Sequence, residues 1–488
     1  MSIDTSPPAA AAAPTPTPTP TSPDHPSYAA RWLVLGVVLA AEVMDLMDAT
    51  IVTVAGPSIR RDLGGGATTL QWLGAAYTLA FAVLLVTGAR LGDILGRRRL
   101  FLVGSLGFTV MSAACALAPS PEALIVIRAL QGGFGALLIP QGFGLLKEVF
   151  PEEEMGRVFA TFGPVMGLSA IAAPILAGVL IGADLFGTGW RMVFLINVPV
   201  GLCAFAGALR WLPHGASRPG VRLDLGGMLL VGLASVAIIY PLIQGRADGW
   251  PAWIFIMLGV GATLLVAFVF YERVRREAPL IEPSLLRNRA YVDGIMVALA
   301  FFATFSGLLL VVSLFCQLGE GFSPIRTGLT LVPLTVGMVI SMIASFALVG
   351  RFGRHLLHIG ILLSAAGTAT LALTMAGAQT AGSWTLLPGL IVIGLGAGFG
   401  FGQLFDIILA GVAMDEVGSA SGVLNAVQQL AAALGVAVLG TVFFSRLTAG
   451  HLPTEAMQIA AWVSLIPLAA AFILTFRLPM RAREQAGA

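Results

Sequence analysis

The chain has 488 residues, of which 57% are hydrophobic and only 11% are charged. Its mean hydropathy is +0.92, which excludes an ordinary water-soluble domain with a solvated surface. The formal net charge is +2, so the distribution of charges along the chain is more informative than their sum, and no nucleic-acid partner is expected.

Long apolar runs indicate membrane-spanning helices. A helix needs about 20 apolar residues to cross the hydrocarbon core, where only helices and closed barrels satisfy their backbone groups. Apart from Asp224 at its start, the run from Leu223 to Tyr240 is apolar on every face, whereas a barrel strand would alternate. The sequence therefore predicts an all-α polytopic membrane protein. Cys115, Cys203 and Cys316 lie singly within such runs, so no metal site is expected.

Fourteen spans are predicted in chain order. The first thirty residues contain a Pro-Thr repeat and are expected to form a disordered cytoplasmic tail and not a signal peptide. After them the predicted spans cover 33–56, 71–89, 100–118, 123–146, 158–182, 192–212, 225–244, 252–271, 291–317, 327–349, 357–376, 385–410, 419–444 and 457–477. The 385–410 run is long enough to tilt or break.

The basic residues predict the orientation of these spans. Because basic residues near span ends are retained in the cytoplasm, placing the N-terminus inside puts most of them on that side, including Arg97 to Arg99 and the single lysine, Lys147. Both termini are therefore expected to be cytoplasmic. The richness in Arg, Ala and Gly favours a bacterial chain, and hence the inner or plasma membrane of a bacterial cell.

The loop after the second span combines an acid, glycines and arginines. It reads Ala89-Arg-Leu-Gly-Asp-Ile-Leu-Gly-Arg-Arg-Arg99. In it Asp93 can pair with an arginine or cap a helix, and Gly96 permits a tight reversal. Arg97 and Arg98 alone fit positive-inside anchoring equally well, but the whole spacing resembles the signature loop of the major facilitator superfamily. A degenerate echo, Val349-Gly-Arg-Phe-Gly-Arg354, follows the tenth span.

Other stretches resemble the same superfamily and its fourteen-span drug:proton antiporters. They are Leu124-Ile-Val-Ile-Arg-Ala-Leu-Gln-Gly-Gly-Phe-Gly135 in span 4, Asp48-Ala-Thr-Ile-Val-Thr-Val-Ala-Gly-Pro57 in span 1, Trp190-Arg-Met-Val-Phe-Leu-Ile-Asn-Val-Pro199 at the start of span 6, Pro279 to Arg289, and Gly418 to Asn425. In span 5, Pro174 and Gly178 stand where the antiporters carry Gly-Pro followed by paired glycines; these small residues permit close helix packing.

The resemblance, with the repeated loop, implies a major facilitator fold of 14 transmembrane helices. Two six-helix halves are joined by two extra central helices. The expected divisions are a tail at 1–30, an N-terminal half at 31–215, the inserted helices at 216–278, a C-terminal half at 279–480 and a cytoplasmic tail at 481–488.

Few ionisable residues fall inside the spans, and four of them are candidates for proton coupling. A charge at mid-bilayer costs about 2.5–3.5 kcal/mol even on permissive scales, so each requires a partner, a cavity or a function. Glu42, Asp45 and Asp48 are spaced three apart and share one side of span 1. Arg128 in span 4 can oppose them or form a purely structural ion pair. The family motif favours Asp48 as the coupling residue, then Asp45, while Glu42 can instead snorkel to the surface.

Polar residues also occur in the spans of the second half. Asp406 near the end of span 12 fits either a cavity lining or a solvated helix end. Asn425, Gln428 and Gln429 share one face of span 13, where hydrogen bonding between helices is the first expectation and substrate contact the second.

These features predict a transporter. The single lysine is followed by Glu148, so no Walker A loop is present, and neither a catalytic residue nor a cofactor is expected. The resemblance implies a proton-coupled secondary transporter that exports drug-like or natural-product molecules by alternating access, with the proton gradient as its energy source. Its partners are then a small-molecule substrate, protons and the lipid bilayer. The alternatives are a dedicated exporter or importer of one endogenous metabolite and, from another class, a membrane enzyme or receptor, which is disfavoured.

Overall fold

The computed structural model describes residues 28–213, 224–245, 247–275, 280–410, 412 and 416–479. These residues are helical throughout, joined by short turns. The helices are α1 (Tyr28–Leu63), α2 (Ala67–Leu95), α3 (Arg97–Ala116), α4 (Pro121–Val149), α5 (Glu152–Ala183), α6 (Met192–Leu195), α7 (Asn197–Trp211), α8 (Leu225–Gln244), α9 (Ala252–Val274), α10 (Pro283–Arg287), α11 (Arg289–Leu314), α12 (Pro324–Phe352), α13 (His355–Met375), α14 (Ser383–Ala410), α15 (Val417–Thr448) and α16 (Pro453–Thr475). The predicted tails lie almost entirely outside the described residues.

Twelve helices of the described chain are long and apolar enough to cross a membrane. α6 and α7 belong to one of these spans, and a π-helical turn, Phe315–Gly319, extends α11 within another. Although α1 and α5 are 36 and 32 residues long, neither is among the twelve. Acidic residues interrupt the apolar run of α1, and several side chains of α5 are not described. The structure thus supports twelve of the fourteen predicted spans.

The helices pack in two bundles that repeat one arrangement. In the first bundle (α1–α7), α4 packs against α2 and α3, α5 and α7 pack against α1, and α7 also packs against α3. In the second bundle (α11–α16), α14 packs against α12 and α13, α15 and α16 pack against α11, and α16 also packs against α13. The bundles meet mainly where α2 contacts α15 and where α5 contacts α12. The predicted divisions near residues 215 and 279 fall outside the described residues and stay predictions.

Glycines set the closest approach between helices in both bundles. A Cβ atom on Gly132 of α4 would lie 2.3 Å from the carbonyl oxygen of Tyr77 in α2. At the corresponding place in the second bundle, a Cβ atom on Gly394 of α14 would lie 2.0 Å from the carbonyl oxygen of Leu334 in α12. Only a residue without a side chain fits such contacts, so α4 and α14 are held against their neighbours in the same way.

The signature loop and its echo also adopt related structures. Gly96 and Gly353, with φ of +93° and +47°, follow α2 and α12 directly. Arg98 then donates to the carbonyl oxygen of Leu209 at 2.7 Å, and Arg354 donates to that of Phe476 at 3.1 Å. In each bundle an arginine after the loop thus reaches the end of the last helix.

Candidate functional site

A buried ion pair joins the middle of α1 to α4. Arg128 donates from Nη1 to Oδ2 of Asp48. The side chains of Asp48 and Arg128 are 0% and 1% exposed, so the pair is withdrawn from water. A charge in such surroundings is stabilised only by close partners, which explains why these two side chains occur together.

Two amides complete the coordination of the Asp48 carboxylate. Asn197 at the start of α7 donates to Oδ1 at 2.8 Å, and Gln131 of α4 donates to the same atom at 3.1 Å. Gln131 also accepts a bond of 2.9 Å from Arg128, and Asn197 donates to Ser112 at 3.1 Å. Asp48 of α1 is therefore held by two other helices, α4 and α7, and any movement of α1 against either of them must break some of these bonds.

The other two acids of α1 have different partners. Asp45 accepts a hydrogen bond from the Tyr77 hydroxyl of α2, and the ring of Tyr77 lies beneath the Arg128 guanidinium, 4.4 Å from its central carbon to the ring centroid. Glu42 is 7% exposed and faces α4 near Gly142, so it does not snorkel to the surface. Within the described part of the chain, its Oε1 atom has no hydrogen-bond partner. Asp48 is thus paired with a cation and Asp45 with a hydroxyl, whereas Oε1 of Glu42 has no donor among the described residues.

Local sequence features place these groups. Ser120 caps α4 by accepting from Ala123 at 3.2 Å, and Pro121 begins the helix, so the position of Arg128 two turns later is fixed. Gly135 then lets α4 approach α1 and α2, because a Cβ atom there would lie 3.1 Å from Asp45 and 3.0 Å from the Tyr77 hydroxyl.

Sequence reasoning brought Asp48, Asp45, Glu42 and Arg128 together but missed three partners. Gln131 and Asn197 lie inside the motif stretches of spans 4 and 6, where their polarity within apolar runs was the available signal. Tyr77 gave no such signal, since a single tyrosine in an apolar span is ordinary.

The signature loop carries a second charged cluster, at the ends of α2 and α4. Arg97 pairs with Asp93 at 3.0 Å and with Glu148 at 3.5 Å. A Cβ atom on Gly144 would lie 1.8 Å from the Arg97 guanidinium, so Arg97 lies across the surface of α4. Of the two predicted options for Asp93, the structure has the ion pair.

The span 5 residues lie where the two bundles meet. A Cβ atom on Gly178 would lie 2.5 Å from the Cα atom of Ile325 in α12, and one on Gly328 would lie 2.3 Å from the Pro174 carbonyl oxygen. Pro174 and Gly178 therefore form a close contact between α5 and α12.

The polar residues of the second bundle do not join the buried pair. Asp406 is exposed. Asn425 is exposed too and donates to the Ser421 carbonyl of its own helix at 3.0 Å, so the expected bond between helices is not formed by this residue. Gln428 is half-buried. Exposed polar groups within spans require water or a ligand as partner; the cavity lining by these residues stays a prediction.

Comparisons with known proteins agree with this architecture. Residues 38–436 match the family model of the Major Facilitator Superfamily. A POT family transporter solved in complex with 5-aminolevulinic acid superposes with a TM-score of 0.68 at 12% identity, covering 92% of this chain and 96% of that one.

Among curated relatives, the chain is 50% identical to a probable actinorhodin transporter of Streptomyces coelicolor, covering 91% of this chain and 78% of the relative. It is 38% identical to a puromycin resistance protein of Streptomyces alboniger, covering 89% and 86%. It is 35% identical to a tetracenomycin C resistance and export protein of Streptomyces glaucescens, covering 85% and 76%.

The fold, the buried charge pair and these relatives agree: the chain belongs to the major facilitator superfamily, among its drug and antibiotic exporters, and it is a membrane transporter and not an enzyme.

Proposed function

We propose that this chain exports an antibiotic-like natural product in exchange for protons, with the Asp48–Arg128 pair as the coupling element. The observation that carries the proposal is the burial of this pair between three helices. A proton on Asp48 would cancel its attraction to Arg128 and leave that cation unpaired in a dry site, which is unfavourable by several kcal/mol. Protonation would therefore favour rearrangement of α1 against α4 and α7.

We further propose fourteen spans, with α1 and α5 added to the twelve, in a bacterial cell membrane with both termini in the cytoplasm. The arginine cluster that follows α2 supports this orientation. Alternating access then consists of movement of the first bundle against the second, and the exposed Asp406, Asn425 and half-buried Gln428 face the path of the substrate.

The test uses everted vesicles and two transport modes. Asp48→Asn should lose export driven by an imposed pH gradient but keep exchange of labelled for unlabelled substrate, because exchange needs no net proton movement. Asp248→Asn, in an exposed loop, is the matched control and should keep both modes. Gradient-driven export by Asp48→Asn would remove Asp48 from the coupling role.

The alternative function is dedicated transport of one endogenous metabolite. The three Streptomyces relatives are named for different molecules, so a panel of actinorhodin, puromycin and tetracenomycin C distinguishes the readings. Transport of one compound alone favours a dedicated exporter, whereas transport of several favours a broad one. Accumulation in the opposite direction would show an importer.

A further inference from the structure

The α8–α9 pair lies between the two bundles in the chain and touches both of them in space. α8 packs against α2 of the first bundle, α15 of the second and its own partner α9, while α9 also contacts α10. If the bundles move against each other, as proposed above, the pair must follow one of them.

Polar contacts tie one end of the pair to the second bundle. The Thr441 hydroxyl of α15 donates to the Leu242 carbonyl of α8 at 2.8 Å and also accepts from the Gln71 amide of α2 at 3.1 Å. Pro241 lies beside this carbonyl in α8. A hydroxyl bond to a helix carbonyl in an apolar site is directional, so it resists sliding of α8 along α15.

Two acids tie the opposite end to the segment that leads into α11. Asp224, which caps α8, accepts from the backbone N–H of Leu280 at 3.3 Å, and Glu272 of α9 accepts from that of Ile281 at 3.1 Å. Both acids are buried, at 3% and 0% exposed. Arg275 pairs with Asp224 at 3.3 Å. Burial, the largest influence, raises the pKa of Asp224, but hydrogen bonds with the Gly227 backbone N–H, Glu272 and Tyr271 and the charge of Arg275 together hold it below its ordinary value.

The segment so held is itself packed into the second bundle. Leu280 and Leu285 are 4% and 1% exposed and belong to one apolar cluster with Phe268 of α9 and Phe301 of α11. The bonds to Asp224 and Glu272 therefore connect the pair to the core of the second bundle and not to a loose linker.

Contacts with the first bundle are of another kind. Gly232 of α8 faces Val83 of α2, with 3.1 Å between an added Cβ atom and a Val83 methyl group. Further along, the rings of Trp72 and Tyr240 lie 5.8 Å apart. Among the described residues no hydrogen bond or ion pair joins α8 or α9 directly to α1–α7; the Gln71 amide of α2 reaches the Thr441 hydroxyl of α15 and not α8 itself. Apolar surfaces without directional bonds can slide over each other at low cost.

We infer that the α8–α9 pair moves as a rigid part of the second bundle during transport, and that the α2–α8 contact is a sliding surface. Both ends of the α8–α9 pair are then attached to the second bundle, and α2 slides along α8 when the bundles move. The inference rests on the proposed alternating access.

Distances between spin labels test it in the full-length chain. Leu185, Asp248 and Leu452 are exposed and lie in the connections after α5, α8 and α15, on the same side of an alternating bundle. Cysteines at these positions, in a chain lacking Cys115, Cys203 and Cys316, are labelled in pairs after transport has been verified. Distances are compared between the wild type and Asp48→Asn, each at low and high pH.

The 185–452 distance reports movement of the bundles themselves. We expect it to change, the 185–248 distance to change with it, and the 248–452 distance to stay constant. If 248–452 changes while 185–248 stays constant, the pair belongs to the first bundle and the inference is wrong. If 185–452 is constant in all conditions, alternating access as proposed is contradicted and the inference falls with it.

Two sets of variants probe the contacts directly. A disulfide between Val83→Cys and Gly232→Cys should block export until a reductant is added. As a control, a disulfide between Ile238→Cys and Gly261→Cys, which joins α8 to α9, should not block export. Export by a chain with an intact 83–232 disulfide would contradict the sliding surface. Thr441→Val should broaden the 248–452 distribution. Thr263→Val, which loses only a bond of 2.8 Å within α9, is its control, and an unchanged distribution in Thr441→Val would contradict the tie at that end.

Discussion

At the scale of single residues, the main feature of the site is that the Asp48 carboxylate accepts hydrogen bonds at both of its oxygen atoms. Its carboxylate receives a guanidinium and two amides, while Oε1 of the nearby Glu42 receives no donor and Nε of Arg128 has no acceptor. Buried polar atoms without partners are unfavourable by about 1–3 kcal/mol each. Under the proposed coupling, a rearrangement that gives these two atoms partners would be favoured by a similar amount.

Asn197 offers the first prediction. Asn197→Ala removes the 2.8 Å bond to Asp48 and the 3.1 Å bond to Ser112, so we expect a loss of stability of about 1–3 kcal/mol together with slower gradient-driven export. Thermal unfolding in detergent and transport in vesicles measure the two effects. Asn425→Ala, at an exposed position of α15, should leave stability unchanged, and equal stability of both variants would contradict the assigned role.

Tyr77 separates two contacts that share one side chain. Tyr77→Phe removes the hydroxyl that binds Asp45 but keeps the ring beneath Arg128. Because the cation–π contact persists, we expect wild-type amounts of folded protein but a changed pH dependence of export. Tyr240→Phe, whose ring only packs against Trp72 and Trp253, provides the control. An unchanged pH profile in Tyr77→Phe would remove Asp45 from proton transfer.

At the scale of helices, contact between the bundles is made by glycines as well as by polar groups. α5 and α12 approach so closely at Gly178 and Gly328 that backbone touches backbone. Such contacts need no side chain to reorganise when they open, and a single added methyl group disturbs them.

This gives a matched pair of variants within one helix. Gly178→Ala would place a Cβ atom 2.5 Å from a backbone atom of Ile325, whereas Gly182→Ala meets nothing within 4 Å. We expect Gly178→Ala to lower stability by about 1–3 kcal/mol or to part α5 from α12, and Gly182→Ala to do neither. Melting temperature and the 185–452 label distance report these outcomes; identical behaviour of the two variants would contradict a close α5–α12 contact.

At the scale of the whole molecule, apolar runs and family motifs predicted the helical architecture because the bilayer restricts the possible structures so strongly. Pairing of Asp48 with Arg128 could also be foreseen, since isolated charges are not tolerated there. The bonds from Gln131, Asn197 and Tyr77 could not, because they depend on the rotation of three helices about their axes. Nor could burial of Glu42, since the same spacing also permits snorkelling.

Two glutamines form hydrogen bonds between the bundles on the side where α1 ends and α2 begins. Gln71 of α2 donates to the Ala437 carbonyl of α15 at 3.0 Å, and Gln317, beyond α11, donates to the Val54 carbonyl of α1 at 2.9 Å. Each bundle thus contributes one glutamine to the backbone of the other. A cavity of about 30 Å³, lined by Gly56, Gly74, Leu314 and Val436 among others, lies between the bundles beside these bonds.

Removing these two glutamines should favour the state that is open on this side. Gln71→Leu and Gln317→Leu each delete one amide donor that bridges the bundles, and a net contribution of about 0.5–1.5 kcal/mol per bond makes their combined effect on the open population roughly fivefold to more than a hundredfold. The population is measured by the rate at which a membrane-impermeant thiol reagent modifies Val436→Cys in a chain without its native cysteines. Gln244→Leu, which loses only a 3.3 Å bond to the exposed Asp248, controls for the loss of a polar side chain. Faster modification in the double variant than in either single one, with the control unchanged, would show that the two glutamines act on the same closure from opposite bundles. Unchanged modification in all variants would mean that the remaining contacts, among them the 2.8 Å bond from Ser313 of α11 to the Thr53 carbonyl of α1, suffice to keep this side shut.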